Sequence, residues 1–137
     1  CQGAIVGPDA GLGALAAEAR REALPAIARL LPAARAAGVS VVHCVVQRRP
    51  DRRGSNHNAK LFAVGAGVDI APDGPGTQLV PELDVQPSDL VLHRWHGIGP
   101  MGGTDLDAVL RNLGVTTIVA VGVSVNVAIP NLVMDAV

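Results

Sequence analysis

The sequence predicts an α/β fold of three layers, with helices on both faces of a mostly parallel sheet. Three observations carry this reading. Hydrophobic residues make up 49% of the chain but aromatics only 1%, so the core has to be built from Ala, Val, Leu and Ile, the side chains of buried parallel strands and their covering helices. The apolar runs 39–46 and 115–121 are nearly continuous and rich in β-branched residues, the pattern of strands covered on both faces. Segments of helical periodicity alternate with these runs, which calls for right-handed crossovers between parallel strands.

Taken in order, residues 12–22 are Ala-rich and read as a first helix that stops near Pro25. Residues 24–38 read as a second. Ile27, Leu30, Leu31 and Ala34 form its apolar stripe, Gly38 its C-terminal stop, and Pro32 an interior residue that removes one hydrogen bond. The strand 39–46 follows. From 47 to 76 the pattern gives way to Pro, Gly, Asn, Asp and Arg, a loop of a length that is often functional. Residues 89–93 read as a short strand and 95–103 as a Gly-rich connection. Thr104 is a suitable N-cap, Asp105 and Asp107 suit the first helical turn, and Leu106, Val109, Leu110 and Leu113 form a stripe that Gly114 ends. The run 115–121 is the clearest strand, and a helix is expected from about Val127. In such sheets ligands bind beyond the carboxyl ends of the strands, so the loops after Val46, His93 and Val121 should share one rim.

Composition narrows the function classes. A net charge of −1 offers no electrostatic footprint for nucleic acid or an anionic membrane. No apolar run reaches the ~18–20 residues that span a bilayer, and a basic-then-apolar leader is missing from the first residues. A cytoplasmic protein with one domain over residues 1–137 is the expectation. The first residue is Cys rather than Met, and residues 135–137 stand inside an apparent helix, so flanking residues are expected at both ends. Cys1 and Cys44 make neither a disulfide framework nor a zinc cluster, and read as small, buried apolar residues.

The runs 76–83, 87–92, 103–107 and 113–123, continued by Asn126, Asp135 and Ala136, resemble in order and spacing the isochorismatase-like cysteine hydrolase family. The resemblance is strong over 76–137 and weak over 24–46. It implies a Rossmann-like three-layer fold and a site made of an Asp at the end of a first strand, a Lys after a middle strand and a Cys at the start of a later helix. A cysteine nucleophile needs a neighbouring base or cation, and the helix N-terminus supplies amides for an oxyanion.

Carried over residue by residue, the resemblance puts the Asp immediately before Cys1, two places ahead of Gln2. Arg94 stands at the Lys position; it keeps the charge but cannot shuttle protons. Ala128 stands at the Cys position and cannot attack a carbonyl. True isochorismatases also lack the Cys; they protonate a vinyl ether with the Asp and let water complete the reaction. The resemblance further implies a turn at 122–124 with a cis peptide between Val123 and Ser124, and the amides of Ser124 and Ala128 aimed at an oxyanion or carboxylate. Gln2, Val123, Ser124, Ala128 and Trp95 are therefore the candidate substrate-binding residues, and Arg94 and Ala128 the two substituted catalytic positions.

Other features are read more plainly. Ser124 has no Gly-x-Ser-x-Gly elbow around it. His93 and His96 share an H-x-x-H spacing without the zincin Glu, His43 falls in a strand and His57 in a loop, so neither metal nor cofactor is expected. Arg48, Arg49, Arg52 and Arg53 make either a solvated face or a lid that attracts an anion, and Lys60 is the only lysine. Trp95 either walls a pocket or fills a gap in the core. Residues 97–103 lack the Lys-Ser/Thr ending of a phosphate loop. The leading function is hydrolysis of a small anionic substrate; a non-catalytic binding or assembly subunit is the alternative, and a nucleotide-binding module a third. Self-association into at least a dimer is expected by analogy alone.

Overall fold

The computed structural model describes residues 1–137. Its elements are α1 (Gly3–Val6), α2 (Gly13–Glu18), α3 (Leu24–Ala36), β1 (Val42–Val46), α4 (Lys60–Val64), β2 (Leu90–Arg94), α5 (Leu106–Asn112) and α6 (Ala128–Ala136). β1 and β2 pair in parallel, Val42 opposite Leu90 and Val46 opposite Arg94. The order of helices and strands and the parallel pairing match the α/β class that the sequence predicts.

Helices α2 and α3 are not separated at Pro25. A π-helical turn, Ala19–Ala23, joins them, and the Leu24 N–H reaches back to the Ala19 carbonyl. Pro25 has no N–H and its ring crowds the carbonyl four residues back; the wider turn just ahead of it lets the helix run on. Pro32 is likewise accommodated inside α3. The helix ends where Gly38 adopts φ +73° and the Val39 N–H bonds the Ala34 carbonyl. Gly114 (φ +67°) ends α5 in the same way, with Val115 N–H on the Leu110 carbonyl. The N-cap of α5 is Asp105, one residue later than expected, but the Thr104 hydroxyl still accepts the Leu106 N–H (3.1 Å).

The core sits on one side of the sheet. Leu24, Ile27 and Leu31 of α3 pack with Val6, Ala19, Val80 and Leu83, whereas Leu30, expected in that stripe, is 42% exposed. Beneath it, Asp89 at the start of β2 is 1% exposed. Its carboxylate takes two hydrogen bonds from Arg35 (3.0 and 2.6 Å), one from the Gln86 amide (3.0 Å) and a contact with His43 Nε2 (3.1 Å). This cluster pins α3, β1 and β2 together at the end of the strands away from the rim. The hydrogen bonds from Arg35, outweighing the cost of burial, hold the Asp89 carboxyl well below the usual carboxylate range.

The run 115–121 departs from expectation. It joins no ladder and takes no regular secondary structure, and Ile118, Val119 and Val121 are exposed. The register explains why. Odd-numbered residues of β1 face β2, as Leu90 N–H to Val41 O and Gln47 N–H to Arg94 O show, so the N–H and C=O groups of Val42, Cys44 and Val46 face the other way. Between that edge and the run 115–121 lies a cavity of about 1120 Å³ lined by both. A β ladder needs strands ~4.8 Å apart, and these two are held apart by that cavity.

Candidate functional site

The loops that follow the C-terminal ends of β1 and β2 and the 115–121 run line this one cavity. Gln47, Arg48, Arg94, Trp95, Val123, Ser124 and Ala128 all border it, so the rim inferred from the alternating order is present and its wall is mostly apolar.

Arg94 is the last residue of β2. Its guanidinium has no carboxylate partner; the one hydrogen bond it makes runs from Nε to the Gly97 carbonyl at 3.4 Å. Burial works against its charge, with Cys44 opposing. Burial in turn pushes the Cys44 thiol up, with Arg94 opposing. A partly desolvated cation without a counter-charge attracts negative groups.

On the wall of the same cavity, the peptide between Val123 and Ser124 is cis. Val127 is the N-cap of α6 and Ala128 its first residue. The Ser124 carbonyl accepts from Val127 and Ile129 (3.4 and 3.1 Å), while the amides of Ser124 and Ala128 donate to nothing within the chain. Orphan amides at the start of a helix favour a negatively charged group. Trp95 is 45% exposed and borders the cavity.

Gln2 also borders the cavity, but its amide is engaged elsewhere. Nε2 donates to the Val46 and Gly76 carbonyls (2.9 and 3.0 Å), and Oε1 accepts the Val46 N–H (2.9 Å). The side chain thereby takes the place of a strand partner at the end of β1 and has no N–H left for a substrate. Cys1 and Cys44 are free and half-buried rather than fully buried. No three His, Cys, Asp or Glu side chains converge as a metal site would require, and no helix is long and apolar enough to cross a membrane.

The basic loop is only partly a solvated face. Arg48 donates to the carbonyls of Gly65, Ala66 and Val68, closing the end of α4, and Arg49 pairs with Asp51 (2.7 Å). Two loop residues also matter, Asn56 and Gly97. Asn56 Oδ1 accepts the Gly97 N–H at 2.7 Å across 41 residues, and Gly97 has φ +76°. Nothing in the local sequence marks Asn56; only a glycine in a loop hints at Gly97.

A parallel strand pair with a half-buried arginine at one strand end, and a helix N-terminus lining the same cavity, define an α/β domain with a cleft at the carboxyl ends of its strands. The chain belongs to the isochorismatase family: the isochorismatase domain model matches residues 1–137. Among solved structures it is similar to a cysteine hydrolase from Pseudomonas syringae pv. phaseolicola (28% identity, TM-score 0.79, 91% of this chain and 58% of that one). It is also similar to an isochorismatase family protein from Desulfovibrio vulgaris (29%, TM-score 0.73, 83% and 60%) and to one from Burkholderia thailandensis (27%, TM-score 0.67, 84% and 58%). The chain thus spans about three-fifths of the length of these structures.

Proposed function

We propose that this chain carries the cleft of an isochorismatase-family hydrolase acting on a small anionic substrate without a cysteine nucleophile. The supporting observation is the half-buried, carboxylate-free guanidinium of Arg94 on the same cavity as the unengaged amides of Ser124 and Ala128. In this reading Arg94 clamps a substrate carboxylate, and the two amides donate to a developing oxyanion or a second carboxylate. Ala128 offers a methyl group where a thiol would stand, so acyl transfer through a cysteine at that position is ruled out by its chemistry. The compatible reaction is protonation of a vinyl ether by an acid, followed by addition of water and collapse of the hemiketal. The family's Asp, set one residue before Cys1 by the position of Gln2, would be that acid.

The absent thiol equally motivates the second reading, a non-catalytic family member that binds the same anion. Assays of the whole protein on isochorismate and on simple amides separate the two. Turnover of isochorismate that falls at least ~100-fold in Arg94→Ala supports the hydrolase, a size reasonable for loss of a buried charge-assisted contact. Turnover no greater than that of the variant, with benzoate binding retained, supports the binding subunit. Assembly into at least a dimer belongs to this proposal by family analogy, and light scattering on the purified protein tests it.

A further inference from the structure

We propose that Asn56 is a positioning residue for Arg94, acting through the two ends of the Gly97 peptide groups. The Asn56 carboxamide oxygen accepts the Gly97 N–H at 2.7 Å, and the Gly97 carbonyl accepts from Arg94 Nε at 3.4 Å. No other hydrogen bond and no ion pair hold the Arg94 guanidinium, so this relay is its only polar tether. An untethered arginine side chain keeps rotamer freedom that a binding site must remove each time an anion docks.

The geometry makes Gly97 a natural relay. At φ +76° it occupies the left-handed region, where a side chain would be strained. Its N–H is turned to the loop after β1 and its C=O to the last residue of β2. Asn56 therefore fixes the rim loop after β2 from the rim loop after β1, and the guanidinium direction follows. Because Asn56 acts as an acceptor here, aspartate preserves the contact and alanine abolishes it.

This inference rests on Arg94 as an anion clamp only for its binding arm, and the test keeps the two apart. In ¹⁵N-labelled protein, the Arg94 Nε–H resonance (assigned by its loss in Arg94→Lys) and the exchange rate of the Gly97 amide are followed while benzoate is titrated. In Asn56→Ala the Nε–H signal should move to the position of the exposed arginines. Gly97 exchange should rise about tenfold or more, and benzoate binding should weaken about tenfold, the loss expected for one ordered charge-assisted contact. The thermal midpoint should stay within a few degrees, and Asn56→Asp should restore the Nε–H position and the Gly97 exchange rate. An unmoved Nε–H signal with unchanged benzoate binding overturns the proposal. So does a fall in thermal midpoint shared by Asn56→Ala and Asn56→Asp, which marks a merely structural role. If the Nε–H signal moves but benzoate binds neither protein, positioning stands and the anion-clamp reading fails.

Discussion

Replacing Asp89 by Asn keeps the volume of the side chain and removes the charge from a carboxylate that is 1% exposed. Two hydrogen bonds from Arg35, at 3.0 and 2.6 Å, then lose their ionic partner, and the amide NH₂ faces donors on Arg35 or the Gln86 N–H where an oxygen accepted before. Breaking a buried pair by removing one partner costs about 3–5 kcal/mol. At a few degrees per kcal/mol for a domain of this size, the thermal midpoint should fall by roughly 10 °C. The pH dependence gives a sharper signature. The folded carboxyl is depressed below its unfolded value of about 3.9, so its contribution is complete above that value and fades as pH falls towards the folded pKa. Urea unfolding followed by far-ultraviolet circular dichroism from pH 7 to pH 2.5 should therefore show a constant gap between the wild type and Asp89→Asn down to about pH 4.5. Below pH 4 the gap should narrow. A gap under ~1 kcal/mol at pH 7, or one that widens on acidification, would refute the assignment of this carboxylate as the pin between α3, β1 and β2.

Three further outcomes follow from particular contacts. Gln2→Leu leaves the N–H and C=O of Val46 without partners and should destabilise the chain by about 1–3 kcal/mol in urea unfolding. Gly76→Ala and Gly99→Ala should differ although both sites are crowded. A Cβ at Gly76 meets the Asp69 backbone carbonyl, which cannot step aside, whereas at Gly99 it meets the ends of the Asn131 and Asp135 side chains, which can swing away. Thermal denaturation should show a loss of about 1–3 kcal/mol for the first and under ~1 kcal/mol for the second. Burial raises the Cys44 thiol, so iodoacetamide labelling at pH 7.5 should be slower than for a free cysteine and should accelerate as pH rises above 9.

The ends of helices were legible in the sequence because they are set by residues a few positions apart. Gly38 and Gly114 take φ values that Ala would resist, and the residue after each closes the helix with a bond to a carbonyl five residues back. The two paired strands were legible for the same kind of reason, since the β-branched run at 42–46 favours extended backbone before any partner is found and residues 90–92 form a short apolar stretch bounded by polar residues. Periodicity also erred locally. It stopped a helix at Pro25 that a π-helical turn carries through, and it placed Leu30 in a stripe whose buried members are Leu24, Ile27 and Leu31.

Of the cleft, the sequence supplied residue types and the order of the loops: a cation at position 94, a methyl group at 128, and three loops on one rim. Tertiary structure alone decided what each group has left to offer. The run 115–121 has the composition of a central strand, yet a ladder depends on a facing edge at the right distance, and here a wide cavity lies between. Gln2 has the chemistry to bind a substrate, but Val46 and Gly76 occupy its amide. Asn56 looks like an ordinary loop residue until Gly97 is brought to it across 41 positions. Backbone torsions and caps are short-range and can be read along the chain, whereas a hydrogen bond's worth depends on which distant group the fold delivers and on how much water it excludes.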